Sequence, residues 1–309
     1  QPRGGGMLGS FTRRPAGVVV GIAGFNYPLL LASHKLAPAI AAGCPVIIKP
    51  SPDTPLTTLW AVHLIRTVLH RHGVTPAAVQ LVTGGPDVGA ALVEDPRVAV
   101  VSFTGSAAVG HRIAKAAAPR KTVLELGSNT GLIVAEDAVL EDAVDAVIRG
   151  GFYANGQACI SVQRVVLAGS IADEFERRLL ERLPEVVVGD PRDEATRLAP
   201  LINTAAAERV LDWIREAVSA GARLVAGGGA EGRSISPTVL ADVPRDCSVW
   251  SEEIFGPVVC LERVSGMAGA IAAVNDSRYG LQAAVYTASL QHAYQAIEQL
   301  HVGGVVVNE

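Results

Sequence analysis

An α/β protein built on doubly wound parallel sheets is what this sequence predicts. Short β-branched runs alternate with helix-length stretches, and glycine-bearing polar segments recur where a run gives way to a helix. The 309 residues, 49% hydrophobic and 18% charged, suffice for two packed domains and are too apolar for a disordered chain.

The alternation opens at Gly17. Val18-Val19-Val20 reads as a strand, Leu29 to Ala42 as a helix, Val46-Ile47-Ile48 as a strand, Leu56 to His70 as a helix and Val79 to Val82 as a strand. The rhythm continues through Gly89 to Val93, Val98 to Phe103, Ala107 to Ala118 and Thr122 to Leu126, which places a nucleotide-sized ligand at the carboxyl ends of the strands. In the second half, Val139 to Arg149 begins another series, followed by Val165-Val166-Leu167, Ala172 to Leu183, Ala205 to Ala220, Val258 to Leu261, Ala268 to Val274, Ala283 to Tyr286, Ala293 to Leu300 and the strand-like Gly304 to Val307. Leu183 to Ala205 and Ala226 to Pro237 lack periodicity and read as surface loops. The domain boundary falls near Gly127-Ser128.

Composition narrows the function. A net charge of -4 and a pI near 6.0, with 26 scattered basic residues, offer no bulk attraction to nucleic acid or an anionic membrane. The apolar stretch from Ala16 to Ala32 is broken by Asn26 and Pro28 and falls short of the ~20 residues of a spanning helix. Cys44, Cys159, Cys247 and Cys260 lie far apart with no C-x-x-C, so no metal site or disulfide framework is expected and a reducing cytoplasm fits. Four lysines against many more arginines point to a GC-rich bacterial source.

Six segments carry candidate chemistry. Cys159 follows Asn155-Gly156-Gln157, small and polar neighbours unlike those of a core cysteine, although a lone cysteine is more often a small core residue than a nucleophile. Phe25-Asn26-Tyr27-Pro28 joins a strand to a helix, where Asn26 is either a helix cap or an oxyanion donor. Lys49-Pro50-Ser51-Pro52 sets a cation at a strand end, either solvated or aimed at ribose and phosphate oxygens. Phe103-Thr104-Gly105-Ser106 resembles a phosphate cradle at a helix start, without the G-x-G-x-x-G spacing. Leu124-Glu125-Leu126-Gly127 holds a carboxylate in an apolar strand end, where desolvation is expected to raise its pKa towards that of a general base. Glu252-Glu253-Ile254-Phe255-Gly256-Pro257 could hold a ribose and support a flat ring, or form a solvated helix end.

Taken together, and with Lys35-Leu36-Ala37-Pro38-Ala39 and Asn275-Asp276-Ser277-Arg278-Tyr279-Gly280-Leu281, these segments resemble the aldehyde dehydrogenase superfamily in the same order from about Phe11 to Asn308. The resemblance implies an aldehyde dehydrogenase-like fold: a Rossmann-type parallel-sheet cofactor domain at 16–127, an α/β catalytic domain at 128–309, and the end of an oligomerisation hairpin at 1–15. It implies oxidation of an aldehyde to an acid with NAD or NADP. Cys159 would attack the carbonyl, Asn26 and the Cys159 backbone N–H would hold the oxyanion, and Glu125 would activate the water that hydrolyses the thioester. The family pattern puts Lys49 and Glu253 on ribose hydroxyls, Phe255 against the nicotinamide, Phe25 and Ser106 near the pyrophosphate, and Ser51, Thr104, Gly105 and Leu126 also at the cofactor. Tyr27, Tyr153, Ile160 and Ser161 become pocket-lining candidates.

Departures from the pattern qualify this reading. Ala154 stands where many members carry asparagine, and Ser128 replaces the second glycine of Leu-Gly-Gly. Gly156 to Arg164 looks like members acting on small polar aldehydes such as lactaldehyde or phosphonate semialdehydes. Pro52 occupies the position of the glutamate by which NAD-strict members repel a 2′-phosphate, so NADP is expected to be tolerated or preferred. Full-length members resemble a longer chain, with an N-terminal part of the cofactor domain and a C-terminal tail beyond these residues, and assemble as dimers or tetramers. The alternatives are a silent structural or binding homologue, an enzyme acylating coenzyme A, which usually lacks the carboxylate present here as Glu125, and a thiol hydrolase, for which none of the seven histidines lies beside a motif.

Overall fold

The computed structural model describes residues 9–309. The chain divides into two compact units, Gln1–Leu126 and Gly127–Glu309. Of the segment expected to end a hairpin, residues 1–8 lie outside the described residues, and 9–15 run without regular secondary structure.

In the first unit the alternation becomes β1 (Val18–Ile22), α1 (Pro28–Ala41), β2 (Val46–Lys49), α2 (Leu56–Arg71), β3 (Val79–Leu81), α3 (Pro86–Glu94), β4 (Val98–Thr104), α4 (Ala107–Ala117) and β5 (Lys121–Glu125). Proline opens α1 and α3, where its missing N–H costs nothing. The strands form one sheet in the order β3-β2-β1-β4-β5, with every pairing parallel. Helices α1 and α2 pack on one face around Ala32, Leu36, Ile48 and Val62, while α3 and α4 pack on the other around Val93, Val101, Phe103 and Ile113. The crossover direction therefore changes between the neighbours β1 and β4, the point at which a parallel sheet opens a crevice at its carboxyl edge. Register brings the ends level: Ile22 lies opposite both Lys49 and Phe103, and Thr104 opposite Glu125.

The second unit contains β6 (Thr130–Val134), α5 (Leu140–Phe152), β7 (Val162–Ala168), α6 (Ala172–Arg182), α7 (Thr204–Ser219), β8 (Arg223–Ala226), β9 (Ala230–Glu231), β10 (Ser234–Ile235), β11 (Thr238–Ala241), α8 (Ser248–Ser251), β12 (Val258–Val264), α9 (Gly266–Asn275), β13 (Gln282–Tyr286), α10 (Leu290–Gln299) and β14 (Gly304–Val307). Its seven-stranded sheet runs β14-β13-β6-β7-β12-β11-β8, with β8 antiparallel at one edge. Helices α5 and α6 cover one face through Val144, Val147, Phe175 and Leu179, and α9 and α10 the other through Ile271, Val274 and Ala296.

The sequence expectation does not include β6, β8, β11 or α8, and two further stretches differ from it. The segment Ala226 to Pro237 carries the ribbon of β9 and β10, whose strands are too short to show a period. Strand β12 runs past Leu261 to Val264 because its parallel pairing with β7 continues to Val264 opposite Ala168, carrying the charged Glu262 and Arg263 with it. No helix among the described residues is long and apolar enough to cross a membrane.

Candidate active site

The first unit gathers one set of candidates at the level carboxyl ends of its strands. Asn26 lies between β1 and α1, but the N-cap of α1 is Tyr27, so Asn26 precedes the cap position that sequence reasoning weighed for it. The carbonyl of the adjacent Phe25 accepts a hydrogen bond from Thr54 Oγ1 at 3.4 Å. Lys49 is buried at the end of β2, with Nζ donating to the Pro50 carbonyl at 3.5 Å, so the solvated-lysine alternative does not hold. Burial lowers its pKa and the carboxylate of Asp87 opposes that shift. Ser51 Oγ accepts the Asp53 N–H at 3.3 Å and shapes the turn that follows.

Gly105 and Ser106 connect β4 to α4. A Cβ on Gly105 would meet the Phe103 ring at 2.6 Å, so only glycine lets the backbone pass there. Ser106 is the N-cap of α4, yet its side chain makes no capping bond; the helix start offers its backbone N–H groups instead. Leu126 packs where a Cβ on Gly110 of α4 would fall, 2.2 Å from Leu126 Cδ2. Glu125 ends β5 exposed, which corrects the expectation of a desolvated carboxylate: β5 is the edge strand and alternates exposed with half-buried residues.

Sequence reasoning used Lys35 only as part of the Lys35–Ala39 segment and gave it no role. It sits on α1 among the buried Ala32, Leu36 and Ala39, donates to Thr104 Oγ1 at 2.6 Å, and has its pKa lowered by burial to about 8 against an opposing pull from Glu125. The signal was available: a lysine on the i, i+3, i+4, i+7 stripe of an apolar helix requires a partner.

On the α3 and α4 side of the sheet lies a cleft of about 540 Å³, with Lys49, Pro52, Gly89, Phe103 and Val109 among its walls. A Cβ on Gly89 would touch nothing nearer than Lys49 Cδ and Cε at 3.9 Å, so it would project into the space beside that cation. Apolar walls, one buried lysine and a helix N-terminus beside Gly105 suit a nucleotide with a phosphate end.

The second unit holds the other set. Of the four cysteines, Cys44, Cys247 and Cys260 are buried and only Cys159 is partly open. Burial pushes the Cys260 thiol up to about 12, as befits an inert core group. Before Cys159 the backbone turns through successive left-handed residues, Ala154 at φ 48°, Asn155 at 63° and Gly156 at 67°. Asn155 Oδ1 anchors this turn by accepting the Ala199 N–H at 2.8 Å. Strain of this kind persists only where surroundings enforce it. Tyr153 and Ile160 flank the segment exposed, whereas the Ser161 hydroxyl is bonded to the carbonyls of Gly150 and Gly151, both at 3.3 Å.

The loop at 251–257 packs directly on this turn. A Cβ on Gly156 would lie 2.1 Å from the Gly256 carbonyl oxygen, so the two backbones touch. Five side chains clamp the loop and the helix before it. Gln163 Nε2 donates to the carbonyls of Val249 at 2.8 Å and Glu252 at 2.7 Å while its Oε1 accepts the Ile254 N–H at 3.0 Å. Asn129 Nδ2 donates to the Trp250 carbonyl at 2.6 Å, and Arg209 to that of Ile254 at 2.7 Å. The Tyr279 hydroxyl donates to Glu252 Oε2 at 3.0 Å, where Arg278 also pairs.

Thus held, Glu253 Oε1 accepts the Ser128 N–H at 2.9 Å. Burial raises the pKa of Glu253, and the Ser128 bond and the Arg209 charge oppose the rise, which excludes a solvated helix end. Phe255 adopts a left-handed φ of 50°. Sequence reasoning singled out Glu253 and Phe255 but gave no role to Gln163, Asn129 and Arg209, whose partners are backbone groups far away in the chain.

Residues 2–309 match the aldehyde dehydrogenase family. The chain is 41% identical over 296 residues to a 3-sulfolactaldehyde dehydrogenase of Priestia megaterium, covering 96% of this chain and 61% of the relative. It is 41% identical over 316 residues to a betaine aldehyde dehydrogenase of Sinorhizobium fredii, covering 99% and 64%. Among solved structures, a glyceraldehyde-3-phosphate dehydrogenase of Methanocaldococcus jannaschii complexed with NADP superposes with a TM-score of 0.93 at 37% identity, covering 96% of this chain and 65% of that one. A betaine aldehyde dehydrogenase of Staphylococcus aureus in complex with NAD+ gives 0.91 at 35%, covering 96% and 60%. The chain thus spans 61% to 64% of the length of these curated relatives. With a family match along almost its whole length and with folds this similar, the chain belongs to the aldehyde dehydrogenase family.

Proposed function

We propose that the protein oxidises a small, partly polar aldehyde to its carboxylic acid, as a cytoplasmic bacterial enzyme assembled as a homodimer or homotetramer. The observation that carries the reading is the contact of Gly156 with Gly256, which packs the turn before Cys159 against the loop bearing Glu253 and Phe255. A partly open thiol and residues suited to a ribose and a flat ring thereby belong to one rigid piece of the second unit.

In this reading the Cys159 thiolate adds to the aldehyde carbon and forms a thiohemiacetal. The Asn26 amide and the Cys159 N–H donate to its oxyanion. NAD or NADP, when bound, would supply the hydride acceptor by which the adduct reaches the thioester. Lys49 and Glu253 would hold its ribose, Phe255 would support its ring, and the start of α4 at Ser106 would receive its pyrophosphate. Glu125 takes a proton from water as its oxygen adds to the thioester carbon, and collapse releases the acid and the Cys159 thiolate. Pro52 places no carboxylate against a 2′-phosphate, so NADP is tolerated or preferred. The relatives named for sulfolactaldehyde and betaine aldehyde act on charged small aldehydes, which supports a polar substrate.

The test is cofactor reduction followed at 340 nm with small aldehydes and with NAD and NADP in turn, on wild type and Cys159→Ala. Reduction that disappears in the variant supports the reading. Unchanged reduction in the variant, or cofactor binding without turnover on any aldehyde, refutes it and favours a silent homologue. Glu125→Gln should retain one equivalent of product per subunit and lose turnover; release of the thioester to coenzyme A would instead mark the acylating alternative.

A further inference from the structure

Gln163 follows Cys159 by four positions, on the strand β7, which is buried along its whole length. An apolar residue would fill that place with no bonding demand, whereas a buried amide is tolerated only when its polar atoms are satisfied. The three partners of this amide all belong to the segment 249–254. Two of them lie on either side of Glu253. The Glu252 carbonyl, accepting from Nε2 at 2.7 Å, belongs to the peptide before the Glu253 Cα, and the Ile254 N–H, donating to Oε1 at 3.0 Å, belongs to the peptide after it. Peptides are planar, so holding both confines φ and ψ of Glu253 and sets the direction of its Cα–Cβ bond. Tyr279 and Asn129 also meet the first peptide, through longer bonds of 3.4 and 3.5 Å. The Ser128 N–H holds only the far end of the side chain, at Oε1.

We propose that Gln163 is a positioning residue for dinucleotide binding that acts through Glu253, aiming its carboxylate at the nicotinamide ribose from the strand segment that follows the thiol. This rests on the reading that Glu253 holds that ribose. A fully bonded amide in a buried strand fixes one loop geometry where apolar packing alone would allow several. The turn before Cys159 has its own anchor, through Asn155 to the Ala199 N–H. Loss of the Gln163 amide should therefore displace the carboxylate and leave the thiol in place.

The experiment is a double-mutant cycle on Gln163→Met and Glu253→Ala. Its readouts are fluorescence titration with NAD and NADP, and the rate of Cys159 alkylation by iodoacetamide without dinucleotide. The other three cysteines are buried, so alkylation of the folded protein reports Cys159. Gln163→Met keeps the length of the side chain and loses all three bonds, and it should weaken both dinucleotides about tenfold. Glu253→Ala should weaken them at least as much. The double variant should lose no more than about twofold beyond Glu253→Ala, because no carboxylate is left to aim. Alkylation should stay within about twofold of wild type throughout. Gln163→Glu keeps the size, the acceptor and, while protonated, one donor; its affinity should lie between wild type and Gln163→Met and fall as the pH rises. Either variant serves the cycle if the other fails to fold. Unchanged affinity in the Gln163 variants, additive losses in the double variant, or alkylation that slows in step with affinity overturns the proposal and leaves the cofactor reading standing. Wild-type affinity in Glu253→Ala overturns the role of Glu253 and the proposal with it.

Discussion

Gly156 and Gly256 approach so closely that a Cβ on the first would fall 2.1 Å from the carbonyl oxygen of the second. Backbone cannot yield as a flexible side chain does, and Gly156 also sits at φ 67°. Gly156→Ala should therefore destabilise the protein by roughly 2–4 kcal/mol. It should also lower aldehyde turnover further than the stability loss explains. Urea unfolding and initial rates below the transition check both; a variant with wild-type stability would show that the two loops separate freely.

A Cβ on Gly127 would lie 2.2 Å from Glu253 Oε2, a contact that displacement of one carboxylate relieves. Gly127→Ala is expected to leave the melting temperature within a few degrees of wild type while weakening dinucleotide binding about tenfold or more. Fluorescence titration measures the affinity. Unchanged binding would remove Glu253 from the cofactor site.

Glu253 also predicts a pH effect. Its folded pKa is raised above 4.5 by burial, so the native state binds the proton more tightly than the unfolded chain does. The cost of ionising it is absent below pH 4.5 and complete above the folded value. Glu253→Gln should gain stability at pH 7, with the gain shrinking as the pH falls towards 4.5. Melting curves across that range test the sign.

Lys35 works in the same direction from the basic side. Its pKa drops from 10.5 to about 8, so a cost of holding the ammonium buried is complete below pH 8 and vanishes between 8 and 10.5 as the native amine loses its proton first. Lys35→Met should therefore raise stability at pH 7 by about 1–2 kcal/mol and give no advantage above pH 10.5. A gain independent of pH would show that packing, not charge, sets the effect.

Arg164 lies fully buried on β7 and donates to the carbonyls of Asn129 and Val274 at 3.0 Å and of Ala273 at 3.1 Å, its guanidinium above Trp250. Burial lowers its pKa to about 10, with Glu262 opposing. Arg164→Met leaves those carbonyls unsatisfied and should cost about 3–5 kcal/mol. Arg164 also donates to the Asp276 carbonyl at 3.4 Å, so Gln163→Leu strands three groups against four, removes no buried charge, and should cost about 2 kcal/mol. Denaturant midpoints rank the two, and the reverse order would contradict this account.

The sequence by itself determined the alternation of most elements and the boundary region near Gly127, and it singled out the segments around Asn26, Lys49, Gly105, Glu125, Cys159 and Glu253. These are local signals: a β-branched run, a glycine at a turn or a polar residue in an apolar stretch is visible within a few positions. Only tertiary structure decided which side chains hold those segments in place. Gln163 and Asn129 reach backbone groups more than eighty residues away, and Lys35 meets Thr104 across sixty-nine. It also decided that Glu125 stands exposed and Lys49 buried, because burial is set by which strand is at the sheet edge, and strand order comes from pairing between distant runs.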